Sequence, residues 1–170
     1  MTGIDTPMQR IATTDDLSAH GLERFDAIID VRSPSEFAED HLPGAINLPV
    51  LDDAERAEVG THYTQVSVFE ARRMGAAIAA RNIAAHLASA LVDKDKRFKP
   101  LVYCWRGGMR SQSMATILAA VGWKTTLVEG GYRTWRRQVS AALDDQAPLP
   151  VILIDGQTGT AKTQLPHGLA

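Results

Sequence analysis

"FDAIIDVRSPSEF", residues 25–37, reads as a strand that runs directly into a helix. The short isoleucine-rich run up to Val31 has the composition of a buried strand. Ser33 with Glu36 three residues on makes a capping box, and Pro34 takes the first helical position, where its missing N–H is no loss. A strand therefore ends at Val31 and a helix begins at Pro34.

Outward from this stretch the same alternation recurs. "HLPGAINLP" (41–49) is a turn leading into a short strand around Ala45–Leu48. Residues 51–95 are helical in composition, with Gly60 as the expected break. "PLVYC" (100–104) is a second buried strand. Ser111 opens a helical pattern through Ala115, Ile117, Leu118 and Val121, ended by Gly122. "KTTLVEGG" (124–131) is a further strand and turn, and "YRTWRRQVSAAL" (132–143) a helix. Such alternation predicts an α/β fold with a mainly parallel sheet flanked by helices. The expected organisation is a domain over 1–143, a linker "DDQAPLP" over 144–150, and a second segment over 151–170.

The totals narrow the function. A chain of 170 residues, 45% apolar and 22% charged, fits one globular core. One cysteine excludes an internal disulfide framework. No apolar run marks a signal peptide or a membrane span, so a cytoplasmic protein with no membrane partner is expected. The net charge of −2 gives no global pull toward nucleic acid, and "RTWRR" (133–137) reads as a solvated helix face. The five histidines show no ligand spacing, so no metal site is expected.

The lone Cys104 lies in "YCWRGGMRS" (103–111), between a strand end and a helix start. Unpaired amides and the helix dipole make such a loop an anion cradle and favour a thiolate. Gly107 and Gly108 let the backbone turn its amides inward, and Arg106 and Arg110 add positive charge. An inert cysteine closing a strand would leave these residues unexplained. The candidate site is therefore nucleophilic Cys104 within Trp105, Arg106, Gly107, Gly108, Met109, Arg110 and Ser111. Both a phosphatase and a sulfurtransferase can use such a cradle, and the loop alone leaves the choice open.

"DVRSPSEFAEDHLPGAINLP" (30–49) closely resembles the first signature of the rhodanese family, and "LVEGGYRTWRR" (127–137) its closing signature. The cysteine loop lies between them, as the family requires. The resemblance implies a rhodanese-like domain in which Cys104 carries the transferred chalcogen, with Asp30 and Arg32 in the polar framework near the loop or as a purely structural ion pair. The long insertion "LDDAERAEVGTHYTQVSVFEARRMG" (51–75), the loop "CWRGGMRS" and the glycine-rich "GQTGTAKT" (156–163) together resemble the tRNA 2-selenouridine synthase family. That family replaces sulfur by selenium in the wobble 2-thiouridine of tRNA. It implies tRNA as partner, selenophosphate as selenium donor and geranyl diphosphate as co-substrate, with no bound cofactor. The alternatives are a stand-alone thiosulfate sulfurtransferase, a rhodanese-like phosphatase and a non-catalytic module.

The resemblance also assigns Gly156, Thr158, Gly159, Lys162 and Thr163 to a P-loop. Ala161 stands where the pattern places glycine before the lysine, and Pro166 and Gly168 interrupt the helix that should follow. A truncated P-loop segment with weak or no nucleotide hydrolysis is the expectation.

Overall fold

The computed structural model describes residues 11–144. Five parallel strands form one sheet in the order β1-β5-β4-β2-β3. They are β1 (Ile11–Thr14), β2 (Ala27–Asp30), β3 (Ala45–Asn47), β4 (Pro100–Tyr103) and β5 (Thr125–Val128). The helices are α1 (Ala19–Leu22), α2 (Pro34–Glu39), α3 (Asp53–Gln65), α4 (Val68–Ala88), α5 (Met109–Val121) and α6 (Tyr132–Asp144). This is the parallel α/β architecture that the alternation predicts. The chain divides into two compact units, residues 1–139 and 140–170; of the second, only the last turn of α6 is described.

Strand periodicity sorts the core onto the two sheet faces. On β4, Val102 and then Cys104 join a cluster with Ile29, Val31, Ala79, Ile83, Met114 and Leu118, beneath α4 and α5. Leu101 and Tyr103 point the other way, into a cluster with Leu17, Leu42, Val128 and Tyr132. Asp30 pairs with Tyr103 across β2 and β4. So one residue's step along β4 separates the thiol from the tyrosine, and each belongs to a different layer.

Two helix boundaries differ from the sequence reading. Gly60 lies inside α3, and the break falls at Val66–Ser67. A side chain at Gly60 would meet open space, so the glycine only weakens an exposed turn. Ser67 accepts from the Glu70 amide and starts α4. Helix α5 begins at Met109 rather than Ser111, with Gly108 as its cap. Its C-terminus follows the sequence: Gly122 takes a left-handed conformation, φ 113°. The strand β1 and the one-turn α1 carry patterns too short to be legible.

Candidate active site

Cys104 follows β4, the central strand, at the carboxyl edge of the sheet. Open parallel sheets place their ligand sites at this edge. Four residues separate it from α5, whose N-terminal amides and dipole favour negative charge at the loop. The cysteine is 3% exposed. Its Sγ lies 3.2 Å from the buried Ser111 Oγ, which also donates to the Gly108 carbonyl at 3.1 Å. Ser111 can therefore donate to a sulfur anion by turning its hydroxyl. Among the described residues, none of the amides of residues 105–108 donates to another backbone group in a turn or loop.

The loop is seated on the turn before α6. The Tyr132 amide donates to the Cys104 carbonyl at 2.8 Å, and the Arg133 amide to that of Trp105 at 3.3 Å. Gly131, at φ 64°, faces this backbone so closely that an added Cβ would come within 2.3 Å of the Cys104 carbonyl oxygen. Gly107 also requires a left-handed backbone, φ 69°.

Beneath the loop lies a buried polar hub. Arg32 and Asp30 are 1% and 0% exposed. The Arg32 Nη2 donates to the Asp30 carboxylate and to the Asp40 carbonyl, both at 2.6 Å. Its guanidinium lies 4.1 Å from the Tyr132 ring centroid and 5.6 Å from that of Tyr103. The Tyr132 hydroxyl donates to Asp40, and burial followed by that carboxylate pushes its pKa up to about 12. Burial, with the Asp30 charge next, raises the pKa of Tyr103, whose hydroxyl accepts from the Leu42 amide.

Arg110 does not stand free in the cradle. It donates to Glu36 at 2.7 Å, and Arg56 of α3 reaches the same carboxylate at 3.1 Å. Burial alone would raise the pKa of Glu36. The Arg110 hydrogen bond and charge, the Ser33 amide and Arg56 outweigh it and hold the carboxyl below its ordinary value. Glu36 thus also closes the capping box of α2. Arg106 is exposed and has no ion pair among the described residues.

Cys104 opens into a cleft of about 650 Å³ lined by Arg56, Tyr63, Trp105, Arg106, Met109 and Arg110, among others. A second pocket of about 190 Å³, lined chiefly by aliphatic groups of α3 and α4, shares Leu51, Val59, Tyr63, Met109 and Arg110 with it. The structure thus brings together Cys104, the loop, Asp30 and Arg32. The predicted P-loop residues, Gly156 to Thr163, lie outside the described residues, as do 145–150 of the expected linker. Sequence reasoning missed Tyr132 and Gly131 as parts of the site and gave Glu36 and Asp40 no firm place in it. Asp40 lies in "EDH", Gly131 and Tyr132 in "EGGY" and Glu36 in "SPSEF", and those segments were the available signal.

A family model described as a rhodanese-like domain matches residues 13–138. The chain is similar to the tRNA 2-selenouridine synthase of Proteus mirabilis, 39% identical over 158 residues, 90% of this chain and 44% of that one. It is similar to that of Chromohalobacter salexigens, 38% identical over 147 residues, 84% of this chain and 40% of that one. The chain therefore spans less than half the length of these curated relatives. Among solved structures it is similar to the N-terminal domain of a Clostridium difficile 630 protein provisionally described as ATP/GTP binding. That match has 33% identity and a TM-score of 0.59, and covers 71% of this chain and 95% of that domain.

Proposed function

The chain belongs to the rhodanese-like domain family, and from that membership we propose that it transfers sulfur or selenium through Cys104 in the modification of tRNA. The reaction is the exchange of sulfur for selenium in the wobble 2-thiouridine, with selenophosphate as donor. Its support is similarity to the synthases over most of the chain. The observation that carries the chemistry is Cys104 on the floor of an arginine-lined cleft, beside Ser111 and the start of α5.

Each donor prescribes a balanced step. With thiosulfate, the thiolate attacks the outer sulfur. The new S–S bond forms, the bond to the sulfonate sulfur breaks, and sulfite leaves with the electron pair. Selenophosphate already carries its selenium as selenide, so attack on selenium would require phosphite as leaving group. The balanced step is attack on phosphorus: an S–P bond forms, the P–Se bond breaks and selenide leaves beside the base. Selenide then adds to C2 of the S-geranylated base, the C–Se bond forms, the C–S bond breaks and geranyl thiolate leaves, while water hydrolyses the phosphocysteine. The amides of residues 105–110 hold the tetrahedral anion in both cases.

Glu36 separates this reading from a phosphatase. An alkoxide leaving group needs a proton donor. The carboxyl that Arg110 of the loop contacts, Glu36, is kept ionised by Arg110 and Arg56, so it is a poor one. Sulfite is a weak base that leaves unprotonated, and selenide leaves as the weak base HSe−, its proton arriving with the monoprotonated donor rather than from a protein acid. The aliphatic pocket beside the cleft is the place proposed for the geranyl group of geranyl diphosphate. A paired assay with thiosulfate or selenophosphate beside an aryl phosphate is the test. We expect Cys104-dependent chalcogen transfer with negligible ester hydrolysis. Cys104-dependent hydrolysis without transfer would make the protein a phosphatase.

A further inference from the structure

Trp105 stands directly after Cys104 and remains 39% exposed. One face of its indole stacks on Tyr132, with centroids 5.4 Å apart and planes at 27°. Tyr132 in turn lies over the Arg32 guanidinium at 4.1 Å. Arg32 is clamped by Asp30, and the Tyr132 hydroxyl by Asp40. The result is a column of three planar groups, anchored in the buried hub and ending at the indole. Hydrogen bonds to the Cys104 and Trp105 carbonyls fix the backbone from which the ring projects.

Trp105 also forms a wall of the cleft that holds Cys104. The other aromatic in that lining is Tyr63 of α3, 50% exposed. Every charged residue in the lining is an arginine: Arg56, Arg106 and Arg110. Aromatic faces for bases with cations for the backbone are how unpaired nucleic acid is held. An apolar ligand would not need Arg106, and a small inorganic donor would not need an indole.

We propose that Trp105 is the stacking platform that receives an unpaired nucleobase of the RNA substrate and sets its reacting edge beside Cys104. The base extends the column as a fourth planar layer, and Arg106 meets the flanking phosphate. Trp105 is thus a positioning residue for the reaction, and the inference rests on the tRNA reading above. Enzymes that act on a base must take it out of its stack, and a preformed platform offsets part of that cost.

The experiment titrates the full chain with an RNA hairpin carrying 2-thiouridine in its loop, read by anisotropy of labelled RNA and by tryptophan emission. Trp105→Leu should weaken binding about five- to a hundredfold. Trp105→Phe keeps a π-face and should bind within a few fold of wild type, which excludes misfolding as the cause. Wild-type emission should be quenched by RNA, whereas Trp105→Phe, retaining Trp123 and Trp135, should lose that quench. Equal binding by all three proteins would overturn the platform and leave the tRNA reading intact. No binding of the hairpin by wild type would overturn the tRNA reading and the platform with it.

Discussion

The guanidinium of Arg32 joins the sheet to the cysteine loop through Asp30, the Asp40 carbonyl and the Tyr132 ring. Both charges of the Asp30–Arg32 pair are out of water. The pair itself need not stabilise the fold, because desolvation offsets its attraction. Removing one partner is different, since it strands a buried charge. Asp30→Ala is therefore expected to cost about 3–5 kcal/mol in urea denaturation, while an apolar replacement of both partners should recover much of it. A loss below about 1 kcal/mol would show that water reaches Arg32. Since Tyr132 rests on this guanidinium and Trp105 on Tyr132, the same variant should loosen the cleft wall.

Between elements, the decisive link runs from α2 to α5 through Glu36 and Arg110, 74 residues apart. Glu36 has a folded pKa below its ordinary 4.5. Its stabilising contribution is therefore complete above that value and disappears as pH falls through the lowered folded pKa. Glu36→Gln should lower the melting temperature at pH 7, and the gap to wild type should close as pH drops below about 4.5. A gap of the same size down to pH 3 would contradict the ion pair as its source. Such links are invisible to local pattern, whereas the elements they join are not. Capping chemistry located α2, and the apolar runs located β2, β4 and β5, because both signals lie within a few residues. Gly60 misled the reading because glycine also occurs in exposed helix interiors; the Ser67–Glu70 spacing marked the true start of α4.

At the scale of the whole molecule, the parallel sheet places Cys104, the buried hub and the α6 turn at one edge. Cys104 stood out as the candidate nucleophile because glycines and arginines crowd one short segment. Its surroundings were not, because Tyr132 meets Asp40 across 92 residues and Arg110 turns from the cradle toward Glu36. The central claim is that this architecture makes Cys104 a chalcogen-transfer nucleophile. The most direct measurement is intact mass of the full chain after exposure to thiosulfate, beside Cys104→Ser. The account predicts a gain of one sulfur atom on wild type, reversed by a thiol reductant and absent from the variant. No gain on wild type, or an equal gain on the variant, would contradict it.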